Sequence, residues 1–143
     1  MNMDALTFLR EQVSLFAGVN AGNLAVLAES SVLLPYNAGQ TIFFKGATVD
    51  GLHVVVSGKV GVYVKSTNKT MVRVAELGMG EVFGEMSIAE RGTAGTTIKA
   101  SDNGTVVLMI PQESFRHVLE QDESFAVRVD SLIASRRPAP ASA

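Results

Sequence analysis

The 143-residue chain has no cysteine, no tryptophan and only two histidines. Without cysteine it can form no disulfide and offers neither a thiol nucleophile nor a zinc–cysteine site. His53 and His117 lie far apart in the sequence, so they do not supply the histidine–carboxylate cluster of a metal-dependent β-barrel enzyme. The Gly-x-Ser-x-Gly turn of serine hydrolases is also missing. These absences predict a protein that is not an enzyme and has no cofactor or metal.

Charge and long apolar runs are also scarce. Only 18% of the residues are charged, the net charge is −2, and the basic residues are scattered. A nucleic-acid partner usually requires a basic stripe, so none is expected. Asp4, Arg10 and Glu11 interrupt the apolar pattern of the first segment, and no later run approaches the length of a membrane span. We therefore expect one cytoplasmic domain with no membrane contact.

Helical periodicity occurs at both ends of the chain. The first segment predicts an amphipathic helix ended by Gly18, and Asn20 predicts the cap of a second helix that runs to about Glu29. Pro111 suits the first position of a third helix. The apolar residues at helical spacing are Leu6, Leu9, Val13 and Phe16 in the first segment, and Phe125, Val129, Leu132 and Ile133 in the last.

The middle of the chain has a different pattern. Short segments rich in β-branched residues alternate with Gly and Asn turns, as in "KVGVYVK", where Val60, Val62 and Val64 share one face. Asn103-Gly104 predicts a hairpin. The predicted fold class is mainly β with flanking helices: an antiparallel jelly-roll barrel of about eight strands. The predicted division is a helical segment 1–30, the barrel 31–110, C-terminal helices 111–135 and a disordered tail 136–143.

One stretch within the barrel, "FGEMSIAERGTAGTTIKA" (residues 83–100), carries the candidate chemistry. Gly84 lets a ligand approach the backbone, and the short helix expected after it offers unpaired N–H groups to an anion. Glu85 can accept hydrogen bonds from a sugar hydroxyl. A phosphate beside a sugar satisfies this combination, and a helix cap with a solvated glutamate is the alternative.

The chain resembles the cyclic nucleotide-binding domains of catabolite-activator-type regulators, protein kinase A regulatory subunits and cyclic-nucleotide-gated channels. The resemblance covers about residues 12–130. Its motifs, in order, are "LFAGV", "NAGQTIFFKGATVDGLHVVVSGKVGVY", "LGMGEVFGEMSIA" and "VVLMIPQESFRHVL". No single motif is decisive, but together and in this order they are specific to the family.

The resemblance identifies residues 83–100 as a phosphate-binding cassette. It implies backbone contacts to the ligand from Gly84 and Met86 and a contact of Glu85 with the ribose 2′-hydroxyl, with Phe83 and Ser87 in the same segment. The arginine that pairs with the cyclic phosphate in the family is replaced here by Ala94. Losing a charge-assisted hydrogen bond costs about 1.5–3 kcal/mol, which weakens binding by about ten- to a few-hundredfold.

Several nearby residues are candidates to compensate for that loss. Gly95 leaves space at the phosphate, and the hydroxyls of Thr96 and Thr97 can donate hydrogen bonds. Arg91 lies three residues before the expected arginine position, and Arg73 on a strand is a weaker candidate. The family often has a threonine after the arginine when cGMP is favoured, whereas this chain has Gly95.

Two functions follow from the resemblance. The first is a free-standing sensor domain that binds cAMP or a similar cyclic nucleotide, weakly because of Ala94, and acts in trans on an unknown output protein. The alternative is a degenerate domain that binds no nucleotide and serves as a protein-interaction or dimerisation module. The resemblance implies that ligand binding moves the last helix, which passes the change to an output protein, and a homodimer through this helix is a further expectation.

Overall fold

The computed structural model describes residues 4–85 and 94–136. Its helices are α1 (Ala5–Gln12), α2 (Ala21–Ser30), α3 (Gln112–Gln121) and α4 (Glu123–Arg136), with a 3-10 turn at Ser14–Phe16. The predicted cap of α2 is confirmed, because the Asn20 side chain accepts a hydrogen bond from the Asn23 N–H at 2.8 Å. The first helix is shorter than expected: α1 ends at Gln12 because Val13 is extended, and Gly18 follows the 3-10 turn instead.

The strands are β1 (Val32–Tyr36), β2 (Thr41–Phe43), β3 (Gly51–Ser57), β4 (Val60–Lys65), β5 (Met71–Leu77), β6 (Val82–Phe83), β7 (Thr97–Ala100) and β8 (Thr105–Pro111). They form two antiparallel four-stranded sheets, in the orders β1-β8-β3-β6 and β2-β7-β4-β5. The predicted class, mainly β with flanking helices, is confirmed. The described strands pair as two sheets rather than as one closed barrel.

The turn at Asn103-Gly104 differs from the prediction. Gly104 has a φ of +74°, as a tight turn requires. However, β7 pairs with β2 and β4, whereas β8 pairs with β1 and β3, so this turn connects the two sheets and the hairpin prediction is wrong. The Asn103 side chain accepts a hydrogen bond from the Ala38 N–H at 2.9 Å, which fixes the turn against another loop.

Two apolar layers explain why the inner strand β3 of one sheet is buried on both faces. The helices cover the outer face of the β1-β8-β3-β6 sheet, and the second sheet covers its inner face. In β3 the five residues 51–55 are consequently all buried, without the alternation of a half-exposed strand. Phe16, Phe115 and Phe125 fill the layer between this sheet and the helices.

The outer boundaries of the two C-terminal helices differ from the prediction by one residue each. Pro111 pairs with Gly51 and is therefore the last residue of β8. It caps α3, which begins one residue later at Gln112. At the other end, α4 runs through Arg136, the first residue assigned to the tail. The tail from 137 onward lies outside the described residues. Within the described residues, no helix combines the length and apolar character that a membrane crossing requires.

Candidate functional site

Phe83 anchors the start of the candidate site in the core. It ends β6 and is 2% exposed, and its ring centroid lies 5.0 Å from His53 and 5.8 Å from Phe43. His53 is itself 7% exposed, as expected of a packed strand residue. Burial lowers the pKa of the His53 imidazole to about 4, so this ring is neutral at pH 7. Phe83 therefore positions the following residues by packing.

Gly84 occupies a position where a side chain is unfavourable. Its φ is +84°, and a Cβ there would lie 3.2 Å from both the Gly51 carbonyl oxygen and Nδ1 of His53. L-residues rarely adopt this φ, and both neighbours are fixed in β3. Glycine thus turns the chain sharply between the core position of Phe83 and the carboxylate of Glu85.

Glu85 is a buried carboxylate with a cationic partner. It is 4% exposed, and its Oε1 lies 3.0 Å from a guanidinium nitrogen of Arg136, the last residue of α4. The same nitrogen donates to the Val82 carbonyl. A buried charge requires such a partner because it has lost its hydration. The sequence predicted a contact of Glu85 with the ribose hydroxyl. It did not predict the contact of Glu85 with Arg136, which lies 51 positions further along the chain.

Ala94 holds the far end of the candidate site through its backbone. Its N–H donates to the Ala47 carbonyl at 2.9 Å, and its carbonyl accepts from the Gly46 N–H at 2.8 Å. Its side chain is 7% exposed. The position that the resemblance aligns with the family's phosphate-binding arginine is therefore apolar, buried and joined to the loop after β2.

The three residues after Ala94 differ in availability. Gly95 is exposed, and a Cβ there would contact none of the described residues within 4 Å, so on their side this backbone is open to a ligand. Thr96 is half-buried. Thr97 is 5% exposed, and its hydroxyl accepts a hydrogen bond from the Lys45 N–H at 3.0 Å. Thr97 thus serves to attach the loop after β2, and Gly95 and Thr96 are nearer to solvent.

The remaining predicted residues fall into two groups. Met86, Ser87 and Arg91, together with the short helix expected after Gly84, lie outside the described residues. Arg73 is described, and its guanidinium lies 3.0 Å from the carboxylate of Glu76. Strand alternation places Arg73, which pairs with Tyr63 in the sheet, on the face opposite to Val62 and Val64. Arg73 therefore lies on the face away from these valines, with its charge paired to Glu76.

An apolar surface that the site prediction did not include lies next to the cassette. Val62 pairs with the buried Ile98, and Val64 pairs with Val72 on the same face of the β4–β5 hairpin. Exposure rises along this face, from 0% at Val60 to 37% at Val64 and 43% at Val72. We call Val64 and Val72 the open valine face. In the sequence, this face is visible as the alternation of valines in β4. That alternation predicts a core face, but it does not show at which residue the face becomes exposed.

Three polar residues of α4 lie together on the helix side of the molecule. Arg128, Ser131 and Arg136 line a groove of about 500 Å³ that also includes Ser14 and Glu81. Nε of Arg128 donates to the Leu15 carbonyl at 3.1 Å. Among the predicted site residues that the structure describes, Arg136 contacts Glu85, and no contact of Arg128 or Ser131 is found.

These features define a class of protein: a two-sheet β domain with helices at both ends. Its candidate ligand site combines a strand-to-turn segment, a buried carboxylate and an apolar strand face. The described residues contain no cluster of three metal-ligating side chains. Residues 33–122 match the cyclic nucleotide-binding domain family. The chain belongs to this family, and membership implies a cyclic nucleotide as the class of ligand.

Two curated relatives share only this domain with the chain. Glutaminase 2 of Bradyrhizobium diazoefficiens is 33% identical over 102 residues, which is 71% of this chain and 15% of the relative. Lysophospholipase nte1 of Neosartorya fischeri is 27% identical over 103 residues, which is 72% of this chain and 7% of the relative. The chain thus spans a small part of each relative, and the activities in their names belong to those proteins.

A solved structure agrees with the fold. The catabolite activator protein of Thermus thermophilus superimposes with a TM-score of 0.74 at 27% identity, covering 85% of this chain and 57% of that one. The predicted resemblance to catabolite-activator-type proteins is therefore confirmed.

Proposed function

We propose that this chain is a non-enzymatic regulatory domain that binds cAMP or a similar cyclic nucleotide at the segment from Phe83 to Thr97. The observation that carries the proposal is the buried carboxylate of Glu85 directly after the left-handed Gly84. A carboxylate has two oxygens, so it can hold Arg136 through one and accept from a ribose hydroxyl through the other. Family membership supplies the class of ligand.

The open valine face suits the base of such a ligand. By continuation of the β4–β7 register, Val64 lies at the level of residue 96, at the end of the cassette. A purine ring that covers the exposed parts of Val64 and Val72 removes apolar surface from water, which contributes about 25 cal/mol per Å². Glu85 is near the start of the segment from Phe83 to Thr97, and the open valine face adjoins its end. We assign the carboxylate to the sugar, the residues between to the phosphate, and the valines to the base.

The link from Glu85 to Arg136 offers a route to an output. Arg136 is the last described residue of α4, so a ligand that competes for or reorients the Glu85 carboxylate acts on the end of that helix. An output protein acting in trans, or a second copy of the chain packed on α4, would sense such a change.

The test is calorimetric titration of cAMP and cGMP into the wild-type chain and the Glu85→Gln variant. Glutamine keeps the shape but loses the charge, so we expect the variant to bind cAMP about ten- to a hundredfold more weakly. Glu81→Gln is the matched control, because Glu81 is exposed and a glutamine oxygen can still accept from the Gly78 N–H. Failure of the wild-type chain to bind either nucleotide would contradict the proposal.

A further inference from the structure

A cation beside the phosphate strengthens the binding of an anionic ligand, and the nearest cation in the described part of the site is already paired. Arg136 lies against the carboxylate of Glu85 and the Val82 carbonyl, so its charge is matched within the protein. Ala94 contributes no charge. Resting on the proposed function, we propose that Lys45, in the loop after β2, pairs with the phosphate of the bound nucleotide.

Three hydrogen bonds place Lys45 beside the end of the cassette. Its N–H donates to the Thr97 hydroxyl at 3.0 Å, and the next two residues, Gly46 and Ala47, exchange backbone hydrogen bonds with Ala94. The loop therefore runs alongside residues 94–97 as an added strand would. Lys45 itself is exposed, so its ammonium group is in contact with solvent and with any ligand that enters there.

The length of the side chain matches the gap that it must cross. Neighbouring strands lie about 4.8 Å apart. A lysine carries its ammonium on a flexible four-carbon stem that reaches roughly 6 Å from the Cα. The Lys45 ammonium can thus extend across the 94–97 segment to an anion held at the exposed backbone of Gly95.

Other cations of the same sheet are placed elsewhere. Lys99 lies over the Tyr63 ring, with its ammonium 5.2 Å from the ring centroid, on the outer face. Arg73 is paired with Glu76, and Lys59 is 3.8 Å from the same carboxylate. Lys65 continues β4 to the level of residue 95, but strand alternation places it on the face opposite to Val64. Lys45 is thus the described cation in the loop that bonds to residues 94–97.

The experiment compares cAMP with adenosine, which lacks the phosphate, in calorimetric titrations of the wild type, Lys45→Met and Lys45→Arg. Lys45→Met is expected to weaken cAMP binding about three- to tenfold and to leave adenosine binding unchanged, while Lys45→Arg retains most of the cAMP affinity. Because the ion pair is exposed, the loss should shrink at high salt. Lys99→Met is the matched control, with the same charge change on the outer face of the sheet.

The outcomes separate this proposal from the one on which it rests. If the wild type binds cAMP and Lys45→Met binds it equally well, the role of Lys45 is wrong and the proposed function stands. Equal weakening of cAMP and adenosine by Lys45→Met would indicate a structural effect and also overturn the role. If the wild type binds no cyclic nucleotide, both proposals fail together. Thermal melts of each variant check that the fold is intact.

Discussion

At the residue scale, His53 shows how a core position beside the site depends on protonation. The imidazole stacks on Phe83 with an interplanar angle of 26° and meets the edge of Phe43. Its Nδ1 is buried without a hydrogen-bond partner among the described residues. A proton added there would place a charge in an apolar layer directly behind Gly84.

We predict that the protein loses stability as the pH falls from about 6.5 to about 4. The unfolded histidine has a pKa near 6.5, whereas burial lowers the pKa of the folded one to about 4. Between these values the unfolded state binds more protons, so acid favours unfolding, by about 3 kcal/mol at most from this group. Urea unfolding at pH 7, 5 and 4 measures the effect.

His53→Phe is the matched variant for this pH series. Phenylalanine keeps an aromatic ring between Phe43 and Phe83 and cannot be protonated. The exposed His117 remains in both proteins. An equal loss of stability in His53→Phe and in the wild type between pH 7 and 4 would show that other groups cause the acid sensitivity.

At the scale of elements, Arg136 fastens the C-terminal end of α4 to the sheet edge. One guanidinium nitrogen reaches the Glu85 carboxylate and the Val82 carbonyl, while Phe125, Val129 and Ile133 bury the stripe of the helix that Arg136 continues. The predicted stripe is thus confirmed as a packing face. The ion pair adds a polar attachment at the point where the helix passes the candidate site.

We predict that Arg136→Met lowers the free energy of unfolding by about 1–3 kcal/mol. Removing one partner leaves Glu85 as a buried charge without its cation, which is costly, although partial exposure of Arg136 moderates the loss. Urea unfolding of Arg136→Met, Glu85→Gln and the double variant forms a double-mutant cycle. We expect the loss of unfolding free energy in the double variant to differ from the sum of the losses in the two single variants.

Arg116→Met, on the exposed face of α3, serves as the control for this cycle. This substitution makes the same side-chain change, from arginine to methionine, at a helical residue outside the candidate site. Strict additivity of Arg136→Met and Glu85→Gln would mean that the contact contributes no coupling between α4 and the cassette.

At the scale of the whole molecule, the candidate site draws on both sheets. The β1-β8-β3-β6 sheet is packed by helices on one face and by the second sheet on the other, and β6 at its edge leads into Gly84. The second sheet contributes β7 and the open valine face. A ligand that spans them ties the two sheets together, so binding should stabilise the entire fold.

We therefore predict that cAMP at a hundred times its dissociation constant raises the free energy of unfolding by about 2.7 kcal/mol. For a chain of this length, such a gain corresponds to a rise in Tm of roughly 8 °C. Differential scanning calorimetry with and without cAMP measures it, and Glu85→Gln at the same cAMP concentration should show a smaller shift. An unchanged wild-type Tm would contradict the proposed ligand.

Much of this protein was determined by local sequence. The cap at Asn20, the packing stripe of the last helix and the position of Gly84 and Glu85 after a strand follow from periodicity and from the conformations that Asn and Gly allow. The ordered motifs predicted the family, which the match over residues 33–122 confirms. Such features depend on neighbours in the chain, so the sequence contains them directly.

Only the tertiary structure decided which distant residues meet. The Asn103-Gly104 turn fits a hairpin locally, yet the pairing of β7 and β8 with different sheets makes it a crossover. The contact of Arg136 with Glu85 and the pairing of the Lys45 loop with Ala94 and Thr97 join residues about 50 positions apart. Sequence periodicity assigns a residue within a helix or strand to one face of that element. Which face lies against which is set by the packing of the two sheets and the helices.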